Sequence, residues 1–364
     1  MTELPEPGRR RLLAMLTTLP ALAWAGKTSA APALAATTPP VATVPFPEGV
    51  KLLVAGPSDG ALNRWADALL PALEQSLPAD TSIRRMEIGG ADGVTGANQF
   101  EARSAPDGLT VLLVPGQAVL AWMVGDPRAQ FDVGHWMLVM AGISSGIVVG
   151  RPSVLAQDGR ARTAAAGPAS LDLAALLGIH LLGARLDPVF GLAEPAAAQN
   201  AFAQGTVDAV FLRGPRVLEQ FAALSSVGAQ PLFTLGAIDD AGQSIRDPAF
   251  PNVQHFAELY ESRSGGKPNG RLFDAWCTAA AAAQLQFALV LPQLTPAAMV
   301  ALWRRAGTDA AAVQAVQTTG ASLNVRPLGG PAATTSTAAT AADAATLLEL
   351  RRWLATRFNW HPSQ

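Results

Sequence analysis

Cysteine is all but missing from this chain. Cys277 is the only one in 364 residues, which excludes an internal disulfide and any metal centre built on paired thiolates. The four histidines, His135, His180, His255 and His361, are scattered, with no ligand spacing to each other or to Cys277. Charge is scarce as well: charged residues make up 15% and the net charge is −2. No basic patch approaches what contact with a phosphate backbone requires, so nucleic acid is excluded as a partner. Acidic residues are too sparse to offer a pair spaced for acid/base work. Beyond residue 25 no apolar run is long enough to span a membrane, and no repeat of fixed period is present.

What is there is apolar. Hydrophobic residues make up 49%, enough for a well-buried core in one large or two smaller domains. At the N-terminus Arg9, Arg10 and Arg11 precede an apolar stretch over 12–25. Small-residue Ala-x-Ala patterns follow at 23–25 and 33–35. Basic, apolar and small-residue regions in that order mark an export signal. We read a signal segment over 1–35 and a flexible leader over 36–46, which places the protein in the periplasm by the general or twin-arginine route.

The organising stretch is 83–115. A short strand ends in Gly89-Gly90, a loop with Gly93 and Gly96 opens a helix, Pro106-Asp107-Gly108 turns, and 109–114 reads as a buried strand. Such glycine-rich strand-to-helix turns face ligands in α/β sheets. Before it, 50–55 reads as a strand and 61–77 as an amphipathic helix, with Ser58 or Asp59 as its N-cap. After it, strands are expected over 136–141, 147–149, 162–166, 185–190, 207–212 and 231–235. The expected helices cover 171–182, 195–204, 215–225, 253–260, 295–306, 308–319 and 341–360. The run at 329–342 reads as a mobile low-complexity loop. Alternating strands and helices predict an α/β fold with mostly parallel sheets flanked by helices.

No catalytic set emerges. Gly142-Ile143-Ser144-Ser145-Gly146 fits the G-x-S-x-G pattern of a hydrolase nucleophile, but strand sequence rather than helix follows, so the required context fails. Gly90-x-x-Gly93-x-x-Gly96 is neither a dinucleotide fingerprint nor a phosphate loop. Cys277, in an alanine-rich run, reads as a small core residue. The sequence therefore predicts no enzyme, no cofactor and no metal, and points to loops that bind.

Those loops form a series. The export signal is followed in order by VKLLVAGPSDGALNRWADAL, GGADGVTGANQFEARSAPDGLTVLL, FDVGHW and RDPAFPNVQHFAEL. In this order they resemble the extracytoplasmic receptors of tripartite tricarboxylate transporters, the Bug family of solute-binding proteins. The resemblance covers about 50–360 and is most specific over 90–113. It implies a two-lobed periplasmic-binding-protein fold, type II-like. Lobe one would be 47–146 plus 237–364 and lobe two 147–236, with two strands crossing as a hinge. It also implies a monomer that captures a small carboxylate between the lobes and delivers it to membrane permease subunits. The alternatives are a sensor or interaction protein that keeps the fold and, more remotely, a hydrolase.

By position, the family's first binding loop falls on Gly56, Pro57, Ser58 and Asp59, and its second on Gly167, Pro168, Ala169 and Ser170. An open cleft lined by both loops is expected. Gln117 and Asp208 are further candidate contacts, and Gly205 with Val207-Asp208 matches a family Gly-x-Val-Asp. The chain departs from the family at Asp92, which replaces a glycine, and at Asp172, which stands where a histidine is common. Pro188-Val189-Phe190-Gly191 likewise replaces a Pro-Tyr-Lys-Gly. If Asp92 and Asp172 point inward they oppose a carboxylate ligand. Arg213 is the candidate counter-charge, against the commoner reading of a surface arginine.

Overall fold

The structure, a computed structural model, describes residues 49–79, 81–156 and 159–362. The signal segment and leader expected at 1–46 lie outside them. Strand β1 (Val50–Val54) is buried at every position but Lys51. Helix α1 (Ala61–Ser76) lays Leu62, Trp65, Ala66, Leu69 and Leu73 into the same core. Strand β2 (Ile83–Glu87), helix α2 (Val94–Arg103), strand β3 (Thr110–Val114) and helix α3 (Gly116–Val124) follow. Strands β2 and β3 pair in parallel on either side of β1. Strand β4 (Met137–Ser144) stays in this sheet. A single residue later, β5 (Gly146–Gly150) has entered a second sheet.

The second sheet continues with β6 (Arg160–Ala164), α4 (Leu173–Leu181), β7 (Arg185–Val189), α5 (Pro195–Ala203), β8 (Ala209–Arg213), α6 (Val217–Ser226) and β9 (Gln230–Thr234). The chain then returns through a short hairpin, β10 (Ala237–Ile238) and β11 (Ser244–Ile245). The last elements are α7 (Phe256–Ser264), α8 (Arg271–Gln284), β12 (Leu285–Leu291), α9 (Ala297–Ala312), α10 (Gln314–Ser322), β13 (Val325–Gly329), α11 (Gly330–Thr337) and α12 (Ala344–Phe358). The first sheet has the order β13-β4-β12-β3-β1-β2 and the second β7-β6-β8-β5-β9.

Both sheets are mixed but mostly parallel in strand direction, as the sequence suggested: β1, β2, β3 and β4 point one way in the first, and β6, β7, β8 and β9 in the second. Neighbouring strands pair in parallel only where βαβ crossovers build the sheet, around β1 and around β6. Strands that arrive from the other sheet or from the C-terminal helices, β5, β12 and β13, run antiparallel to their neighbours. Helix α8 and the central strand β12 went unread because an alanine-rich helix running straight into an apolar strand offers no punctuation between them. The expected loop at 329–342 is instead largely helix α11. Pro331 sits in its first turn, where no amide partner is lost. Thr334 and Thr337 return their hydroxyls to the carbonyls of Gly330 and Ala333, so the Ala/Thr run hides a helical pattern of small buried residues.

Helices α4 and α8 join the layers. Residues 173–179 of α4 are buried on every side, as an all-apolar helix must be. Trp276 on α8 donates its indole N–H to Ala174 O at 3.0 Å and stacks on Phe256 with ring centres 4.0 Å apart.

The glycines of 89–96 serve packing. Gly93 has φ +76°, which favours glycine, and a Cβ there would lie 2.5 Å from Pro115 Cδ. A Cβ on Gly96 would lie 2.7 Å from Ala55 Cα. These contacts press α2 against the ends of β1 and β3 and thereby fix the loop that leaves β1.

Candidate functional site

In each sheet the chain leaves one parallel strand in two directions. Strand β1 lies between β2 and β3, and β6 between β7 and β8. At such switch points the crevice beyond the carboxyl ends of the strands is where α/β sheets bind ligands. The two candidate loops sit at these two edges, 55–60 after β1 and 165–172 after β6.

The first loop is closed by backbone. The Gly56 amide donates to Val54 O at 2.9 Å, and the Gly60 amide to Pro57 O at 2.9 Å. Asn63 Nδ2 donates to the same Pro57 carbonyl at 2.6 Å. Gly60 is the N-cap of α1 and no side chain caps the helix. The expected cap from Ser58 or Asp59 is therefore absent: Pro57 O turns inward to the first turn, and both side chains stay exposed. Asn63 Oδ1 is buried here with no partner. Gln117 is half-buried in the first turn of α3, at the same edge of the sheet. A Cβ on its neighbour Gly116 would lie 2.1 Å from Ala282 O, so that turn is held tightly against α8.

The second loop is closed by a side chain. Asp172 Oδ2 accepts from the Ala166 amide at 2.8 Å and from Ser170 Oγ at 2.9 Å. Ser170 Oγ also lies 2.8 Å from Gly167 O. Gly167, Pro168, Ala169 and Ser170 are all half-buried. The acid at the family's histidine position thus folds back on its own loop.

Arg213 ends β8 beside this loop. It is half-buried, not a surface arginine, and among the described residues no hydrogen bond or ion pair holds its guanidinium. Burial lowers its pKa from the ordinary value, and the charge of Asp172 works the other way. Arg213, Asp172 and Gln220 line one cavity of about 240 Å3, with Leu192, Val210 and Leu212 among its apolar walls. Gln220 is 9% exposed, and among the described residues its side-chain amide has no hydrogen-bond partner. The sequence reading passed over it, yet a signal exists. Gln220 stands on the face of α6 that Val217 and Leu224 bury, where helical spacing calls for an apolar residue.

The remaining candidates are placed elsewhere. Asp92 accepts from the Val94 amide at 3.2 Å and pairs with Arg128 Nη1 at 2.8 Å, so it starts helix α2 and ties down a turn. Asp208 precedes β8, at the end of the strand opposite Arg213. Arg162 grips it with two hydrogen bonds of 2.7 and 2.6 Å, and Arg151 lies at 3.8 Å. The Arg162 hydrogen bond holds the Asp208 carboxyl below its ordinary pKa, against the opposing effect of burial. Among the main cavities none is lined by both loops; each loop stands at the edge of its own sheet.

Ser144 is 2% exposed and bonds to Gln284 O and Gln286 Nε2, with no histidine beside it. The strand continues past it into β5, so nothing there activates a nucleophile. Burial pushes the Cys277 thiol up to about 12, which keeps it protonated. Among the described residues no group of three His, Cys, Asp or Glu is placed to hold a metal ion, and no helix is long and apolar enough to cross a membrane.

No protein-family model matches the chain, and no curated protein is similar to it. Among solved structures it is similar to a TctC solute binding protein from Polaromonas, determined with no ligand. That pair shares 16% identity with a TM-score of 0.62, over 86% of this chain and 100% of that one. It is also similar to MatC from Rhodopseudomonas palustris with bound malate (18% identity, TM-score 0.48, 85% and 99% covered). A third is an R. palustris protein with adipate (15%, 0.49, 86% and 98%). The first sets the fold as one shared with a solute binding protein. The other two superpose too loosely to add to it.

Proposed function

We propose that this chain is an exported, non-enzymatic solute receptor of the tripartite tricarboxylate transporter type, which captures a small organic acid and passes it to membrane permease subunits. Its lobes are 47–146 plus 237–364 and 147–236, and it works as a monomer in the periplasm. Arg213 carries the reading: a half-buried guanidinium without a partner, at the switch point of a sheet in a solute-binding-protein fold. An unpaired buried charge costs several kcal/mol, and a ligand carboxylate offsets that cost with a charge-assisted, two-pronged contact. The loop 56–59, with Gln117, forms the facing wall from the first sheet, and closure between lobes brings the walls together.

A thermal-shift screen of the mature protein against mono- and dicarboxylates, amino acids, amides and aromatic acids tests this. A solute that binds the folded form alone stabilises it by about 2.7 kcal/mol at a hundred times its dissociation constant. We expect acids to shift the melting temperature and neutral amides to leave it unmoved. A screen in which no acid produces a shift overturns the receptor reading.

A further inference from the structure

The cavity at the carboxyl edge of the second sheet is lined by two opposite charges that no salt bridge joins. Asp172 spends Oδ2 on the Ala166 amide and the Ser170 hydroxyl, while Oδ1 accepts no hydrogen bond. Asp172 has no ion-pair partner among the described residues, and neither has Arg213. The two are near enough for the Asp172 charge to act on the guanidinium, yet no salt bridge joins them. The loop holds the acid, the strand holds the base, and both line the same cavity. Gln220 adds an amide that lines the cavity, with one donor end and one acceptor end, to the same space.

Each simple ligand class leaves one charge unsatisfied. A monocarboxylate answers Arg213 and abandons Asp172. A dicarboxylate brings its second charge toward Asp172, where like charges repel. A plain amine answers Asp172 and abandons Arg213. One class satisfies both, a small molecule carrying a carboxylate at one end and an ammonium at the other.

We propose that this cavity is a zwitterion site taking a small amino acid. The carboxylate rests on Arg213, the ammonium donates to Asp172 Oδ1, and an aliphatic body lies against Leu192, Val210 and Leu212. The volume of about 240 Å3 admits such a molecule. This rests on the receptor reading and narrows its solute class: Asp172 is the residue that selects.

Matched pairs test it on the mature protein at neutral pH by thermal shift and calorimetry. They are alanine with propionate, γ-aminobutyrate with butyrate and with propylamine, and glutamate with glutarate. At least one amino acid is expected to bind 100-fold or more tighter than its deaminated and decarboxylated partners. Asp172→Asn keeps a carbonyl oxygen for the Ala166 and Ser170 donors and removes only the charge. In that variant the preference for the amino acid should fall at least tenfold while the deaminated acid binds as well or better. If wild-type protein binds the deaminated acids as tightly as the amino acids, the zwitterion site is overturned and the receptor reading stands. If neither member of any pair binds, the site is overturned, and silence from the wider acid screen removes the receptor reading with it. Unchanged discrimination in Asp172→Asn overturns the role of Asp172.

Discussion

Strand β8 starts beside a fully paired acid and ends in an unpaired base. At its amino end Asp208 is gripped by Arg162 and approached by Arg151. At its carboxyl end, roughly 16 Å away at the rise of a β-strand, Arg213 has no partner among the described residues and lines a cavity. The same strand thus carries a charge spent on the fold and a charge held in reserve. A charge enclosed by opposite charge is structural; a charge half-enclosed by a polar cavity is available to a ligand. The two ends should respond to mutation in opposite ways.

Asp208→Ala has the largest expected effect. It removes two charge-assisted hydrogen bonds from a pair that is partly open to solvent and should destabilise by about 1.5 kcal/mol, the lower end for hydrogen bonds to a charged group, read as a lowered melting temperature. Because the folded carboxyl titrates below its ordinary value, its contribution is fully present above the unfolded pKa of about 3.9. The contribution is lost as pH falls through the lower folded value. The stability gap between wild type and Asp208→Asn should therefore be constant near neutrality and close below about pH 4. A gap that widens on acidification would break the pairing account.

Gln220→Leu comes next and has the opposite sign. Leucine completes the face formed by Val217 and Leu224, and replacing an amide that opens on the cavity should stabilise by roughly 0.5 kcal/mol. Solute affinity should fall several-fold. A destabilised Gln220→Leu would mean that the amide already has a partner within the fold. The smallest effect belongs to the first loop. Ser58→Ala and Asp59→Ala should each change stability by under about 0.5 kcal/mol, because Pro57 O and Gly60 close that turn without them. A loss of about 1 kcal/mol, the usual value of an N-cap side chain, would restore the capping role that the sequence suggested.

The division between the two ends of β8 also marks what could be read from sequence. The strand-end loops at 56–59 and 167–170 were legible, because glycine and proline punctuate them and their order resembles a known series. The crossing at Ser145 was legible too, since strand sequence runs on both sides of it and excludes a nucleophile elbow. Asp208 was read as a candidate contact, and its partner Arg162 lies 46 residues earlier on a neighbouring strand. Only the parallel pairing of β6 and β8 brings them together. Asp172 was read as a charge opposing the ligand, and its bonds to Ala166 and Ser170 depend on a loop conformation that spacing does not specify. Arg213 read as a surface residue because sequence does not report how deeply the end of a short strand lies beneath flanking helices. Helix α11 was hidden by composition: alanine and threonine in a low-complexity run carry no large apolar stripe, although Ala333 and Thr337 are buried.

The central claim is that Arg213 is held unpaired for a ligand, and Arg213→Leu tests it in one paired measurement of melting temperature, with and without the acid that most stabilises wild-type protein. The account predicts a variant that melts at or above the wild-type temperature when alone, since a half-buried unpaired charge is removed, and that no longer shifts when the acid is added. A variant that melts several degrees lower alone, yet still shifts with the acid as wild type does, would contradict it.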